Sequence, residues 1–134
     1  MALITRSSSA SLDTNSVLYA PQIPDLVAGE NIDIAAPCYI KSTDGKVYMS
    51  NGTAANEAAE CAGFSARAAK SGQPITLVGK GARFKYGSGL TPGDKCYIGA
   101  TAGRLDTAAT TGDAVGVAQA LTATDIRVIN DAKA

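Results

Sequence analysis

A chain of 134 residues has the usual size of one domain, so one hydrophobic core is expected. Apolar residues make up 46% of it, but alanine dominates and tryptophan is absent, so a single copy should have a thin core and should favour assembly. Twelve basic and twelve acidic residues are scattered along the chain, which argues against nucleic-acid binding and against attachment to an anionic membrane.

The N-terminal region, residues 1 to 28, is rich in serine at first and is then interrupted by Pro21 and Pro24. Because proline fixes φ and lacks a backbone donor, we predict an extended arm rather than a helix. It lacks the apolar core of a signal peptide, and no run in the chain is long enough to span a membrane, so we expect a soluble protein made in a cytoplasm. The arm either contacts a partner or packs across its own domain. Its candidate contact residues are Leu18, Tyr19, Ile23 and Leu26.

Residues 29 to 134 form the predicted body, in which short apolar runs alternate with turn residues. Strands are expected at 31–34, 38–40 and 46–49, with a tight hairpin at Asp44-Gly45. The stretch TAANEAAECA is the one candidate helix, and it is short enough to be a loop instead. Many strands and no long helix predict an all-β sandwich or small barrel. The remaining strands are expected in GFSARA, PITLVGKGARFKYG, DKCYIG, AVGVAQAL and DIRVIN.

The phrase Cys-Tyr-Ile occurs at 38–40 and again at 96–98, each time followed by a glycine turn and a basic residue. The segments 63–66 and 75–78 then align with 116–119 and 126–129. This predicts an internal duplication of a β unit whose two halves bury their apolar faces together. Because side chains alternate along a strand, the Cys and Ile residues are expected inside and the Tyr residues outside. The inward set is Cys38, Ile40, Cys96 and Ile98, and the outward set is Tyr39 and Tyr97.

The residues that carry chemistry do not form a recognisable catalytic or metal-binding motif. Histidine is absent, and most carboxylates lie beside turns, where Asp hydrogen-bonds the local backbone. The three cysteines are widely spaced, and they are interpreted as reduced core residues, with a bridge between Cys38 and Cys96 as the alternative. We therefore expect no enzymatic activity, no cofactor and no bound metal.

Three stretches carry a family resemblance: DGKVY, then GQPITLVGKGARFKYGSGLTPGDKCYIGATAGRLDT, then AVGVAQALTATDIRVI. Through them, positions 28 to 130 resemble the capsid decoration, or cement, proteins of tailed phages. The resemblance implies a small β-barrel or tulip-like body with an extended N-terminal arm. It also implies a homotrimer on the outside of an icosahedral head, made in the host bacterial cytoplasm, that clamps neighbouring major capsid subunits. The four arm residues would then be capsid or subunit contacts.

The alternative interpretation is a phage fibre-associated or receptor-binding module that recognises a host glycan. The stretches TAANEAA and DTAATTGD offer hydroxyl groups and small residues that would suit a sugar surface. Sugar sites normally carry aromatic platforms, however, and this chain has no tryptophan. Exposure of Tyr39 and Tyr97 at a cleft would favour the glycan interpretation.

Overall fold

The computed structural model describes residues 3–4, 6–11, 22–54, 56–113 and 116–129. In this part of the chain the strands form two antiparallel sheets, which confirms the predicted all-β barrel or sandwich. The strands are β1 (Arg6–Ser11), β2 (Gln22–Val27), β3 (Pro37–Ile40), β4 (Val47–Met49), β5 (Gly63–Ser65), β6 (Pro74–Val78), β7 (Arg83–Gly87), β8 (Lys95–Ile98), β9 (Leu105–Asp106), β10 (Ala118–Ala120) and β11 (Asp125–Val128).

The two sheets contain the same five-strand unit. The first sheet has the order β2-β6-β5-β3-β4, and the second has the order β1-β7-β11-β10-β8-β9. Without β1, the second sheet reads β7-β11-β10-β8-β9, which is the first order built from the next five strands. Cys38 lies on β3 and Cys96 on β8, so the two Cys-Tyr-Ile segments occupy equivalent strands. The predicted duplication is therefore present in the strand order.

Strand pairing refines the sequence alignment of the two units by two residues. Cys38 pairs with Gly63, and Cys96 pairs with Ala118, so Gly63 corresponds to Ala118 rather than to Gly116. A shift of two residues keeps every side chain on the same face of the strand. Sequence alternation alone therefore could not detect it.

Each sheet curls until its outer strands meet. In the first sheet a parallel bridge joins Ala28 to Val47, and in the second an antiparallel bridge joins Leu3 to Asp106. The difference follows from strand number. In a fully antiparallel sheet the first and fifth strands run in the same direction, whereas the first and sixth run in opposite directions.

Two hydrophobic cores result. The first core lies inside the first sheet, and it includes Cys38, Val47, Ile75 and Leu77. The second core lies inside the second sheet, and it also receives side chains from the first half, notably Phe64 and Val78. The rings of Phe64 and Phe84 lie 5.6 Å apart between centroids. The thin core expected from the alanine-rich composition is thus divided between two sheets that share one interface.

Of the four residues expected inside in the two Cys-Tyr-Ile segments, only Ile40 departs from the prediction, and the two tyrosines expected outside are half-buried. Cys38, Cys96 and Ile98 are at most 1% exposed, but Ile40 is 38% exposed. Ile40 is the last residue of β3, at the rim of its sheet. The corresponding Ile98 precedes Gly99, whose carbonyl accepts a 2.7 Å hydrogen bond from the Gly52 amide of the first half. The first half therefore covers one rim, and the other stays open.

Two local predictions need correction. Residues 31–34 do not form a strand, and within them only Ile32 forms a bridge, with Ala69. Ala35 then adopts a left-handed conformation with φ of +58°, which interrupts extended structure. The candidate helix TAANEAAECA contains a single turn of 3-10 helix, Glu57–Ala59, in which the Asn56 side chain accepts a hydrogen bond from the Ala58 amide. A run this short cannot offset the cost of helix nucleation.

The N-terminal region supplies one strand to each sheet. β1 pairs with β7 in the second sheet, and β2 pairs with β6 in the first. Residues 12–21, which connect them, lie outside the described residues. The division into an arm of residues 1–28 and a body of residues 29–134 stays a prediction.

Candidate functional site

The four predicted contact residues fall in different places. Leu18 and Tyr19 lie outside the residues that the structure describes. Ile23 lies on β2 in register with Leu77, and Leu26 is half-buried against the first core. Contact of any of these residues with a capsid or a neighbouring subunit stays a prediction, and the packing of Leu26 gives it a structural role as well.

The clearest surface feature comes from comparing one face of the two sheets. In the first half Pro37, Phe64 and Val78 lie side by side across three strands and are buried; we call them the buried row. The equivalent positions in the second half are Lys95, Gln119 and Arg127, which we call the exposed row. Lys95 and Arg127 are exposed and Gln119 is half-buried. The same sheet face is thus an internal interface in one copy and an outer surface in the other.

The exposed row continues into a basic surface. Arg127 pairs in register with Arg83 on β7, so basic side chains occur on three of four adjacent strands. Arg127 donates a 3.3 Å hydrogen bond to the Gln119 amide oxygen, and Arg83 forms a 3.1 Å ion pair with Asp125. These residues are far apart in the sequence, so the charges that looked scattered there are gathered by strand pairing. The pairing of 119 with 127 and of 127 with 83 was the signal that sequence reasoning missed.

A second surface feature is a tyrosine pair on the first sheet. Tyr39 and Tyr48 stack with ring centroids 5.9 Å apart, and the ammonium nitrogen of Lys41 lies 5.1 Å from the Tyr48 centroid. The Tyr48 hydroxyl donates a 2.7 Å hydrogen bond to Asp44, and the Tyr48 ring lies against the backbone of Gly29. The pair therefore covers the place where the sheet closes.

Electrostatics keep both tyrosines protonated. Burial raises the pKa of Tyr39, and the carboxylates of Glu30, Glu57 and Asp44 raise it further. The hydrogen bond to Asp44 raises the pKa of Tyr48 and lowers the pKa of the Asp44 carboxyl. Neither ring can therefore act as a base near neutral pH.

The buried polar side chains hold backbone groups. Asp113 is fully buried and accepts 2.8 Å hydrogen bonds from the amides of Ile98 and Gly116. The Ser65 hydroxyl accepts a 3.0 Å bond from the Ala36 amide and donates to the Asp33 carbonyl. In the described ranges, no group of three or more Cys, Asp or Glu residues could hold a metal ion. These side chains have the arrangement of structural supports.

The three cysteines are buried, and no disulfide joins any two of them. Burial raises the pKa of Cys96 to about 11, and the nearby Asp94 carboxylate acts in the same direction. Burial also raises the pKa of Cys38 well above its usual range, and Cys61 and Glu30 contribute. A thiol that stays protonated at neutral pH is a poor nucleophile, so Cys38 and Cys96 have the character of core residues.

A cleft of about 290 Å³ lies where the N-terminal residues meet the second sheet. Leu3 and Ile4 form one wall, and Leu90, Cys96 and Ala120 contribute apolar surface opposite. Asp94, Lys95 and two threonines lie at its polar edge. The two charged lining residues, Asp94 and Lys95, are exposed to solvent, so the cleft does not hold them in the desolvated setting that shifts an acid or base toward catalysis.

Comparisons with known proteins give no family. No protein-family model matches the chain, and no curated protein matches it. Among the described residues, no helix is long and apolar enough to cross a membrane.

Proposed function

We propose that this protein is a non-enzymatic capsid decoration protein that binds the outside of an icosahedral phage head and stabilises it by clamping neighbouring major capsid subunits. The observation that carries the proposal is the use of buried polar groups: Asp113, Ser65 and the buried thiols support backbone and core in a duplicated β body. A clamp requires surface burial repeated by symmetry and no chemistry. The sequence resemblance supplies the capsid as the partner.

The proposed partners are the major capsid protein and further copies of this chain in a homotrimer. Clamping by many copies gains strength from multivalency, because each bound contact raises the effective concentration of the next. The net charge of zero keeps repulsion between crowded copies small. The proposed location is the capsid exterior, after synthesis in the host bacterial cytoplasm.

The test uses expanded heads of the phage that encodes the chain, prepared without decoration. We expect the protein to co-sediment with these heads and to raise the temperature at which they release their DNA. Native mass spectrometry should show a trimer. A monomer that does not co-sediment with the heads would reject the proposal.

Two variants separate capsid contact from folding. Replacing Leu18 and Tyr19 together by Ala should weaken head binding, and the unfolding free energy of the same variant shows whether the loss comes from contact or from folding. Leu26→Ala should lower the unfolding free energy, because Leu26 packs against the first core. Equal head binding by the Leu18/Tyr19 variant and the natural protein would remove these residues from the contact surface.

The glycan-binding alternative gains little support from the tyrosines. Tyr48 is in contact with Tyr39, Lys41 and the backbone of Gly29, so little of its ring face is left for a sugar. Tyr97 is half-buried. A glycan array that gave specific binding, lost on Tyr39→Ala, would favour this alternative over the capsid role.

A further inference from the structure

The second sheet contains one strand more than the unit that it repeats. The five strands β7 to β11 repeat β2 to β6 in order, and β1 is added between β7 and β9. In the first sheet, the end of β2 reaches Val47 directly and closes the sheet. In the second sheet, closure requires a segment from the other end of the chain. Without residues 3–11, β7 and β9 would each have an unpaired edge.

Where its side chains are described, at residues 3 and 4, the added segment is held by backbone hydrogen bonds and by the buried side chain of Ile4. The Ile4 amide donates a 3.0 Å hydrogen bond to the Leu105 carbonyl, and the Ile4 carbonyl accepts a 3.2 Å bond from the Arg104 guanidinium. The Ile4 side chain is 5% exposed and belongs to the second core. An identical segment from another copy could make every one of these contacts.

The pairing of β1 with β7 is irregular. Arg6 lies opposite Gly87 and Ser11 lies opposite Lys85, so five steps along β1 match two steps along β7. An interrupted ladder has fewer hydrogen bonds per residue than a regular one. The register shift distinguishes this ladder from the regular ladders that join β7, β11, β10 and β8 in the same sheet.

The connection between β1 and β2 is ten residues long, from 12 to 21. A chain of that length spans at most about 35 Å when fully extended. It joins strands that belong to different sheets. Because this connection tethers β1 to its own chain, the effective concentration of β1 at its own sheet is about a millimolar. Other copies of the chain can compete for the same position once their concentration is similar.

We propose that residues 3–11 are an exchangeable closing strand, which one copy of this chain can insert between β7 and β9 of another copy. Each copy then gives one strand and receives one, so exchange links copies of the chain into a closed dimer, a larger ring or an open chain. Exchange competes with self-insertion when the local concentration of copies approaches the millimolar range, as it does on a densely covered surface. This inference does not depend on the capsid role.

The experiment traps the register pair Ser11 and Lys85 as a disulfide. Isotope-labelled full-length Ser11→Cys protein and unlabelled Lys85→Cys protein are unfolded, mixed, refolded at millimolar concentration and oxidised. Mass spectrometry then counts disulfides between labelled and unlabelled chains. The matched control is the pair Gln119→Cys and Arg127→Cys, which are register partners within the repeated unit.

We expect the Ser11/Lys85 mixture to give about tenfold more cross-chain disulfide than the control mixture, with a yield that rises with protein concentration. The double variant in one chain, refolded at micromolar concentration, should close internally. Internal closure without cross-chain disulfide at high concentration would overturn exchange. Failure of the double variant to close would place β1 elsewhere and would overturn it as well.

Discussion

The first and second sheets are copies of one unit, but they differ in closure and in outer face. The first sheet closes with its own strand, and the face away from its own core carries the apolar buried row, in which Phe64 and Val78 pack in the second core. The second sheet closes with a strand from the chain's beginning, and its equivalent face is the charged exposed row. The polar side chains of the exposed row suit a sheet face that no other part of the described chain covers.

The largest expected effect tests the buried row. Phe64→Ala should lower the unfolding free energy by about 3 to 5 kcal/mol, because it removes a fully buried ring that joins the first half to the second core. The matched control is Gln119→Ala at the equivalent position, where we expect a change of about 0.5 kcal/mol or less. Denaturation in urea measures both. Equal losses would mean that the two rows do not differ in role.

The next effect tests the closure of the second sheet. Ile4→Ala should cost about 2 to 4 kcal/mol, because the side chain is 5% exposed and packs in the second core. The adjacent Leu3 is 41% exposed, so Leu3→Ala should cost about 1 kcal/mol or less. Thermal unfolding compares the pair. If Leu3→Ala were the more damaging change, the N-terminal residues would close the sheet in a different register.

Alkaline pH tests the equivalent cysteines. The folded pKa of Cys96 is raised to about 11 from 9.0, so between these values the folded state keeps a proton that the unfolded state has lost. Stability is therefore complete below pH 9 and falls as pH rises, by about 2 to 3 kcal/mol at pH 11 from this group. The Cys96→Ala variant should show a correspondingly shallower loss of unfolding free energy between pH 9 and 11.

Cys38 extends the same test to the first sheet. Burial raises its pKa well above 9.0, so its contribution to stability also falls as pH rises above 9. We expect Cys38→Ala to flatten the alkaline slope as well. If the unfolding free energy of both variants fell with pH as steeply as that of the natural protein, folding would not raise the pKa of these thiols.

The repeated unit could be predicted from the sequence because short-range sequence patterns define it. The Cys-Tyr-Ile motif, the alternation of apolar residues and the glycine turns each act within a few residues. These signals predicted the all-β class and most of the strands between residues 38 and 128, although the strand predicted at 31–34 did not form. They also predicted the buried positions of Cys38, Cys96 and Ile98, which face the cores.

Long-range pairing was not readable from the sequence. Closure of the second sheet depends on a contact between Leu3 and Asp106, and the exposed row depends on the register of 83, 127, 119 and 95. Pairing between distant strands leaves no periodic pattern in a single sequence, and a register shift of two residues leaves each side chain on the same face of the sheet. The exposure of Ile40 could not be predicted for the same reason, because it depends on a long-range contact: the first half covers the rim of the second sheet at Gly99.

The smallest effect tests the interface through two equivalent turn glycines. Gly45 and Gly103 have φ values of +71° and +77°, so alanine at either position costs about 1 to 2 kcal/mol of backbone strain. A Cβ at Gly45 would meet nothing within 4 Å, whereas a Cβ at Gly103 would overlap the sulfur of Met49 in the first half. Gly103→Ala should therefore cost about 1 kcal/mol more than Gly45→Ala in urea denaturation. The difference should disappear in a Met49→Ala background, because the overlap is then removed while the strain is kept. A difference that survives there would mean that the second turn is constrained by its own sheet and not by the first half.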